Sequence, residues 1–331
     1  MTRGQHDWAL VLAAGEGSRL RSLTTTDTGV AVPKQFCSLL GEASLLQEAL
    51  RRGAVVARPD RICAIVASQH REWWAAPLAG LPAQNVIVQP ENRGTAHGIL
   101  LPLLQIATRD PEARIVILPA DHHVRDEAVM AQALRESARL AAREPESVFL
   151  LGVEPDQPDP ELGYVLPADS WGDGPSPVAH FVEKPSVAEA IALLERGALW
   201  NVFIMAATAR ALLGLFAARF AATAGEMLVA IDRDANSRNR GVALRRLYRH
   251  LPTRDFSRDV LEGREDRLQV LPVPNCGWTD LGTPKRVAET LRLLPRVPRQ
   301  VDGPAPTYLN LAIQHARLLQ AGASVLQGVS A

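Results

Sequence analysis

Apolar and polar positions follow two rhythms along the first half of the chain. Short, nearly continuous apolar runs at 8–13, 61–67, 85–89, 114–118 and 147–153 have the length and branched side chains of buried strands. Between them, apolar residues recur at helical spacing over 44–55, 95–107 and 127–142, the first two entered through capping residues, Ser44 and Thr95. Strand, helix, strand in this order predicts βαβ units and an α/β fold: a Rossmann-like, doubly wound, mainly parallel sheet.

The rhythm changes near Gly163. Strands are expected at 164–166 and 180–183, on either side of a Gly/Pro-rich stretch at 171–177 that reads as a hairpin-like insertion. Helices at 188–196 and 208–220 flank a strand at 202–206, a late strand is expected at 268–273, and Thr283 and Pro284 open a helix over 282–294. Four prolines within 295–306 then mark a linker, followed by an amphipathic helix at 308–319. The organisation read from this is a main domain at 1–294, a linker at 295–307 and a short helical C-terminal tail at 308–331, which offers a surface for homodimer contacts.

Composition narrows the partners. The chain has 331 residues, 47% of them apolar, enough to bury a large core. Its 36 basic side chains balance 36 acidic ones, so no global field draws it to nucleic acid or to an anionic membrane, and any bound anion must be met locally. The first eight residues lack the apolar core of a signal peptide, and the apolar stretches read as interrupted before they could span a bilayer; a cytoplasmic protein is expected. Cys37, Cys63 and Cys276 fall in no metal-binding spacing and read as reduced, structural thiols.

The strongest chemical signal is the glycine-rich turn after the first strand, Leu12-Ala13-Ala14-Gly15-Glu16-Gly17-Ser18-Arg19-Leu20. Glycines let backbone N–H groups approach phosphate oxygens, and Arg19 adds a planar charged fork; an ordinary βα turn has the same look. Leu20 replaces the third glycine of a dinucleotide fingerprint, which disfavours a dinucleotide-dependent oxidoreductase. Downstream, Lys34 in Pro33-Lys34-Gln35-Phe36 can neutralise phosphate charge, or be a solvated surface lysine. Asp121 in Pro119-Ala120-Asp121-His122-His123 is expected at the carboxyl edge of the sheet, where it suits Mg²⁺, and Asp280 in Gly277-Trp278-Thr279-Asp280-Leu281-Gly282 is the second candidate acid. Taken singly, each acid also fits a cap or a turn. The adjacent histidines 122 and 123 point to opposite sides of a strand end and make a poor zinc pair.

These segments, taken in order, resemble the sugar-1-phosphate nucleotidyltransferase family, and most closely its mannose-1-phosphate guanylyltransferase branch. The resemblance runs to about Leu294 and rests on LAAGEGSRL at 12–20, PKQF at 33–36, QPENRGTAHG at 89–98, PADHH at 119–123, GYV at 163–165, FVEKP at 181–185, WN at 200–201 and GWTDLGT at 277–283. It implies a glycosyltransferase-A-like sheet and a reaction that joins an NTP, GTP favoured, to a sugar-1-phosphate with release of pyrophosphate. Gly15, Gly17 and Arg19 would hold the triphosphate, with Leu12 and Ala14 in the same nucleotide-binding turn. Gln89, Arg93, Gly94 and Thr95 would lie beside base and ribose, Gly163, Glu183 and Asn201 beside the sugar, and Lys184 on its phosphate. Arg19, Lys34 and Lys184 would be the catalytic cations, and Asp121 and Asp280 the Mg²⁺ ligands.

Some positions depart from that pattern. His97 stands where the guanylyltransferases usually carry Pro, and Val202-Phe203 stands where a Ser-Gly pair is common, so a sugar other than mannose, or a cyclitol phosphate, is also in view. A catalytically silent, nucleotide-sugar-binding regulatory subunit is the alternative, against which the retained Arg19, Lys34, Asp121, Lys184 and Asp280 argue.

Overall fold

The computed structural model describes residues 4–39, 41, 43–168, 174–237, 241–294, 309–311 and 314. Its strands are β1 (Asp7–Ala13), β2 (Cys37–Ser38), β3 (Ile62–Ala67), β4 (Val86–Gln89), β5 (Arg114–Pro119), β6 (Val148–Val153), β7 (Gly163–Pro167), β8 (Ser176–Glu183), β9 (Leu199–Thr208), β10 (Leu268–Val273) and β11 (Leu309–Asn310). The helices are α1 (Arg21–Thr24), α2 (Leu45–Val56), α3 (Arg71–Trp74), α4 (Gly94–Arg109), α5 (Glu127–Arg143), α6 (Val187–Glu195), α7 (Ala209–Ala235), α8 (Val242–Tyr248) and α9 (Pro284–Leu293).

One sheet organises the molecule, in the order β4-β3-β1-β5-β9-β6-β10-β8-β7, with β9 also pairing β7. Strand β1 shows why it is covered on both sides. Its odd-numbered residues Ala9, Val11 and Ala13 pack in one core with α2 and α5, while Trp8 and Leu10 pack in a second core with α4 and α7. Helix α2 is fixed by a capping box: the Ser44 side chain accepts the Gln47 N–H, and the Gln47 side chain accepts the Ser44 N–H, an arrangement worth about 1 kcal/mol.

The α/β reading holds, but the sheet is mixed. Strands β1, β3, β4 and β5 pair in parallel, as do β6 and β10, whereas β9 lies antiparallel between β5 and β6. Strands β7 and β8 form an antiparallel hairpin within the same sheet, which reverses the chain so that β9 runs opposite to β6. Helix α4 begins one residue before Thr95, with Arg93 at its cap position and no side-chain cap; the Thr95 hydroxyl is committed elsewhere. Helix α7 runs fifteen residues past the expected end at 220, through a non-helical Phe220. Its apolar run, mean hydropathy 1.5, is long enough by composition to cross a membrane, contrary to the expectation of interrupted stretches. In this fold Leu212, Leu215, Phe216 and Met227 from it are buried in the second core. Helix α8 and a π-turn at Ser257–Leu261 have no counterpart in the sequence reading. Residues 171–173, the linker and most of the expected tail helix lie outside the described residues; Leu309–Asn310, at its start, form a strand beside Cys37–Ser38.

Candidate active site

The carboxyl ends of β1, β4 and β5 open onto one cleft of about 540 Å³, closed on the other side by β7, β8, β9 and the segment 253–255. It is lined by Leu12, Ala14, Gly15, Gly17, Arg19, Gln89, Gly94, Thr95, Asp121, Gly163, Glu183, Lys184, Asn201 and Asp280. Thus fourteen positions chosen from sequence, scattered over most of the chain, meet at a single surface.

The glycine turn is shaped by close backbone approach. Gly17 has φ +62°, and a Cβ there would stand 2.8 Å from the Lys34 backbone nitrogen. Gln35 ties the turn down by donating to the carbonyls of Ala13 and Gly15 at 3.1 and 2.8 Å. Arg19 reaches over the mouth to Glu161 at 2.8 Å, and both side chains are about half exposed. Neither Gln35 nor Glu161 was singled out from sequence; Gln35 was visible only as a member of the PKQF segment.

The wall expected to face the nucleotide has a similar joint. Gly94, φ +85°, lies so close to segment 253–255 that a Cβ would meet the Arg254 carbonyl at 2.1 Å. Ala96 donates to that carbonyl at 3.1 Å, and Arg254 donates to the Arg93 carbonyl at 3.0 Å. The Thr95 hydroxyl donates to Asp255 at 3.1 Å and accepts the Phe256 N–H at 2.7 Å. Gln89 is buried with its amide nitrogen unpartnered. Arg93 is not among the cleft-lining residues: its guanidinium donates to Glu91 at 2.6 Å and to the Arg249 carbonyl at 3.3 Å. Thr253, Arg254 and Asp255 do line the cleft; no motif or periodicity marked them.

Lys34 is not a solvated surface lysine. It is 6% exposed, and its ammonium lies 2.8 Å from the Asp121 carboxylate and 2.6 Å from the Asp280 carbonyl. Burial alone would raise the Asp121 carboxyl, but the Lys34 ammonium, with His122 beside it, outweighs this and holds it below the ordinary carboxylate range. His122 accepts the Trp278 indole N–H at 3.3 Å and stacks edge-on against that ring. Burial pushes its imidazole below the ordinary histidine value, against the opposite pull of Asp121. One oxygen of Asp280 accepts from Gly282 N–H at 2.9 Å and from Arg286, whose guanidinium also pairs with Asp159. Both acids offer hard oxygen donors to the cleft, and no cluster of three or more metal-ligating side chains occurs among the described residues. Two carboxylates with the remaining positions left to ligand oxygens is the donor set that suits Mg²⁺.

On the opposite wall, Gly163 of β7 pairs with Glu183 of β8 and with Asn201 of β9, so the three residues expected beside the sugar form a single row across the sheet. A Cβ on Gly163 would meet Glu183 Oε2 at 2.7 Å. Burial raises the Glu183 carboxyl, partly offset by Lys184, whose ammonium is 3.5 Å away. The non-glycine residues with left-handed backbone among the described residues are Lys184, Phe203 and Leu281, at φ +54°, +56° and +48°. Each follows a site residue by one or two positions, and each conformation costs roughly 1–2 kcal/mol.

A glycine turn, a buried lysine and two acids gathered at the strand ends of an α/β sheet lie where open α/β folds bind their ligands. The chain belongs to the nucleotidyl transferase family, whose model matches residues 8–295. It is 33% identical over 196 residues to the xanthan biosynthesis protein XanB of Xanthomonas campestris pv. campestris, and 32% identical over 200 residues to a mannose-1-phosphate guanylyltransferase of Escherichia coli. Each alignment covers 58% of this chain, which spans only about two fifths of those relatives, 40% and 41% of their lengths. Among solved structures it resembles one described as a mannose-1-phosphate geranyltransferase from Thermus thermophilus, with TM-score 0.70 and 29% identity over 84% of this chain and 77% of that one. An inositol-1-phosphate CTP transferase from T. maritima shares the fold at TM-score 0.55 and 15% identity, covering 87% of this chain and 94% of that one.

Proposed function

We propose that this protein joins an NTP to a sugar-1-phosphate, releasing pyrophosphate and forming an NDP-sugar. The observation that carries the reading is the meeting, in one cleft, of a glycine turn bearing Arg19, a Lys34-linked pair of acids, and a Gly163–Glu183–Asn201 row ending in Lys184. GTP and mannose-1-phosphate are favoured by the relatives' names, and a related hexose or cyclitol phosphate fits the same chemistry.

A phosphate oxygen of the sugar-1-phosphate attacks the α-phosphorus in line, the bond from that phosphorus to the α,β-bridging oxygen breaks, and pyrophosphate leaves with the electron pair. The attacking oxygen is already anionic, so no protein nucleophile or general base is required; the protein's task is alignment and charge neutralisation. The glycine turn offers backbone N–H groups to the triphosphate, and Arg19 exchanges its exposed pairing with Glu161 for phosphate. Gln89 presents its unpartnered amide nitrogen beside the base. Glu183 and Asn201 hold sugar hydroxyls, while Lys184 holds the sugar phosphate against the α-phosphorus. Asp121 and Asp280 would hold Mg²⁺, which when bound supplies charge neutralisation at the phosphate oxygens. Lys34 keeps both acids in place.

Pyrophosphate release measured across a grid of NTPs and sugar or cyclitol 1-phosphates, with Lys184→Ala as control, tests the reading. Release that needs both substrates and is lost in the variant supports it; no release with any pair refutes it.

A further inference from the structure

Strand β9 is irregular where it meets the cleft. Between the pairs Gly152↔Asn201 and Leu150↔Met205 it has three residues where β6 has one. Phe203 sits in the middle of this bulge with φ +56°, and its N–H donates to the Asn201 side-chain oxygen at 3.1 Å. Bulges beside functional sites re-aim a side chain, and the left-handed position within one is ordinarily filled by glycine. Here it carries a large aromatic ring that lines the cleft beside the Gly163–Glu183–Asn201 row.

The ring cannot easily retreat. Phe256 backs it edge-on with centroids 6.2 Å apart, and Phe256 is itself fully buried and anchored through its N–H to Thr95. A strained backbone that places a rigid ring in a ligand cleft points to a role for the side chain, because glycine would meet the backbone requirement without strain.

We propose that Phe203 is a specificity-determining residue that limits the depth of the sugar end. The ring fills the space that a bulky ring substituent would need, so the substrate class is a hexose-1-phosphate without an N-acyl group. The inference rests on the transferase reading above and deepens it.

The test is the ratio of kcat/KM for a plain hexose-1-phosphate to that for its N-acetylhexosamine counterpart, in the wild type, Phe203→Gly and Phe203→Leu. The wild type is expected to discriminate against the N-acetylated substrate. In Phe203→Gly the ratio should shrink by roughly 10–200-fold, with the KM for NTP unchanged, and Phe203→Leu should fall between. Phe203→Gly should also melt above Phe203→Ala, since alanine keeps the left-handed strain that glycine relieves. A wild type that accepts both substrates equally, or a ratio unmoved in both active-site variants, would overturn the proposal while leaving the transferase reading intact. A wild type inactive with every pair would instead fail that reading, and this one with it.

Discussion

The ammonium of Lys34 lies 2.8 Å from the carboxylate of Asp121 and bridges to the backbone of Asp280, so one buried cation ties together two acids 159 positions apart in the chain. Removing the charge should damage both stability and chemistry. Lys34→Met should cost about 1–3 kcal/mol, below the figure for a fully buried pair because the Asp121 side chain is 38% exposed. Denaturant unfolding reads the first effect. Steady-state kinetics should show a further loss in kcat of about 10²–10³.

Lys184 separates the two effects. Its side chain is 43% exposed and its one ion pair among the described contacts is with Glu183. Lys184→Ala should leave stability within about 0.5 kcal/mol yet lower kcat/KM for the sugar phosphate by about 10²–10³. Equal activity in variant and wild type would remove Lys184 from the chemistry.

Gly94 is a joint between the two walls. With φ +85° and the Arg254 carbonyl 2.1 Å from any Cβ, Gly94→Ala must push segment 253–255 away from α4. A stability loss of more than about 1 kcal/mol is expected, together with weaker NTP binding by titration, since Thr95 and Asp255 move with that wall.

Glu183 gives a signed pH effect. It faces Lys184 and Asp255, and burial is the main cause that raises its carboxyl above the ordinary value. The folded protein therefore holds this proton where the unfolded chain has released it. Stability should fall as pH rises from about 4.5, the ordinary carboxyl value, through the raised one, and then level off. In Glu183→Gln that component should vanish, so the difference in melting temperature between variant and wild type, followed against pH, isolates it.

The strands of the first half were legible because buried parallel strands are short, continuous and apolar, and β10 was placed with its observed ends, Leu268–Val273. The α2 cap was legible from Ser44 for the same local reason. What sequence did not reveal was fixed by non-local contact. The antiparallel setting of β9 depends on the route through β7 and β8, and segment 253–255 reaches the cleft through backbone bonds that leave no pattern of side chains. Within the site, fourteen of the expected residues line the cleft, but the spacing of QPENRGTAHG could not say that Arg93 turns away to Glu91 and Arg249. Nor could the PKQF segment tell that Lys34 is buried between acids and not exposed.

The most direct test of the account follows the phosphorus. With NTP labelled either at the α- or at the γ-phosphorus, and sugar-1-phosphate and Mg²⁺ present, the α-label should appear in the NDP-sugar and the γ-label in pyrophosphate, in equal amounts. Release of the γ-label as orthophosphate, or an α-label that never joins the sugar, would contradict nucleotidyl transfer in this cleft.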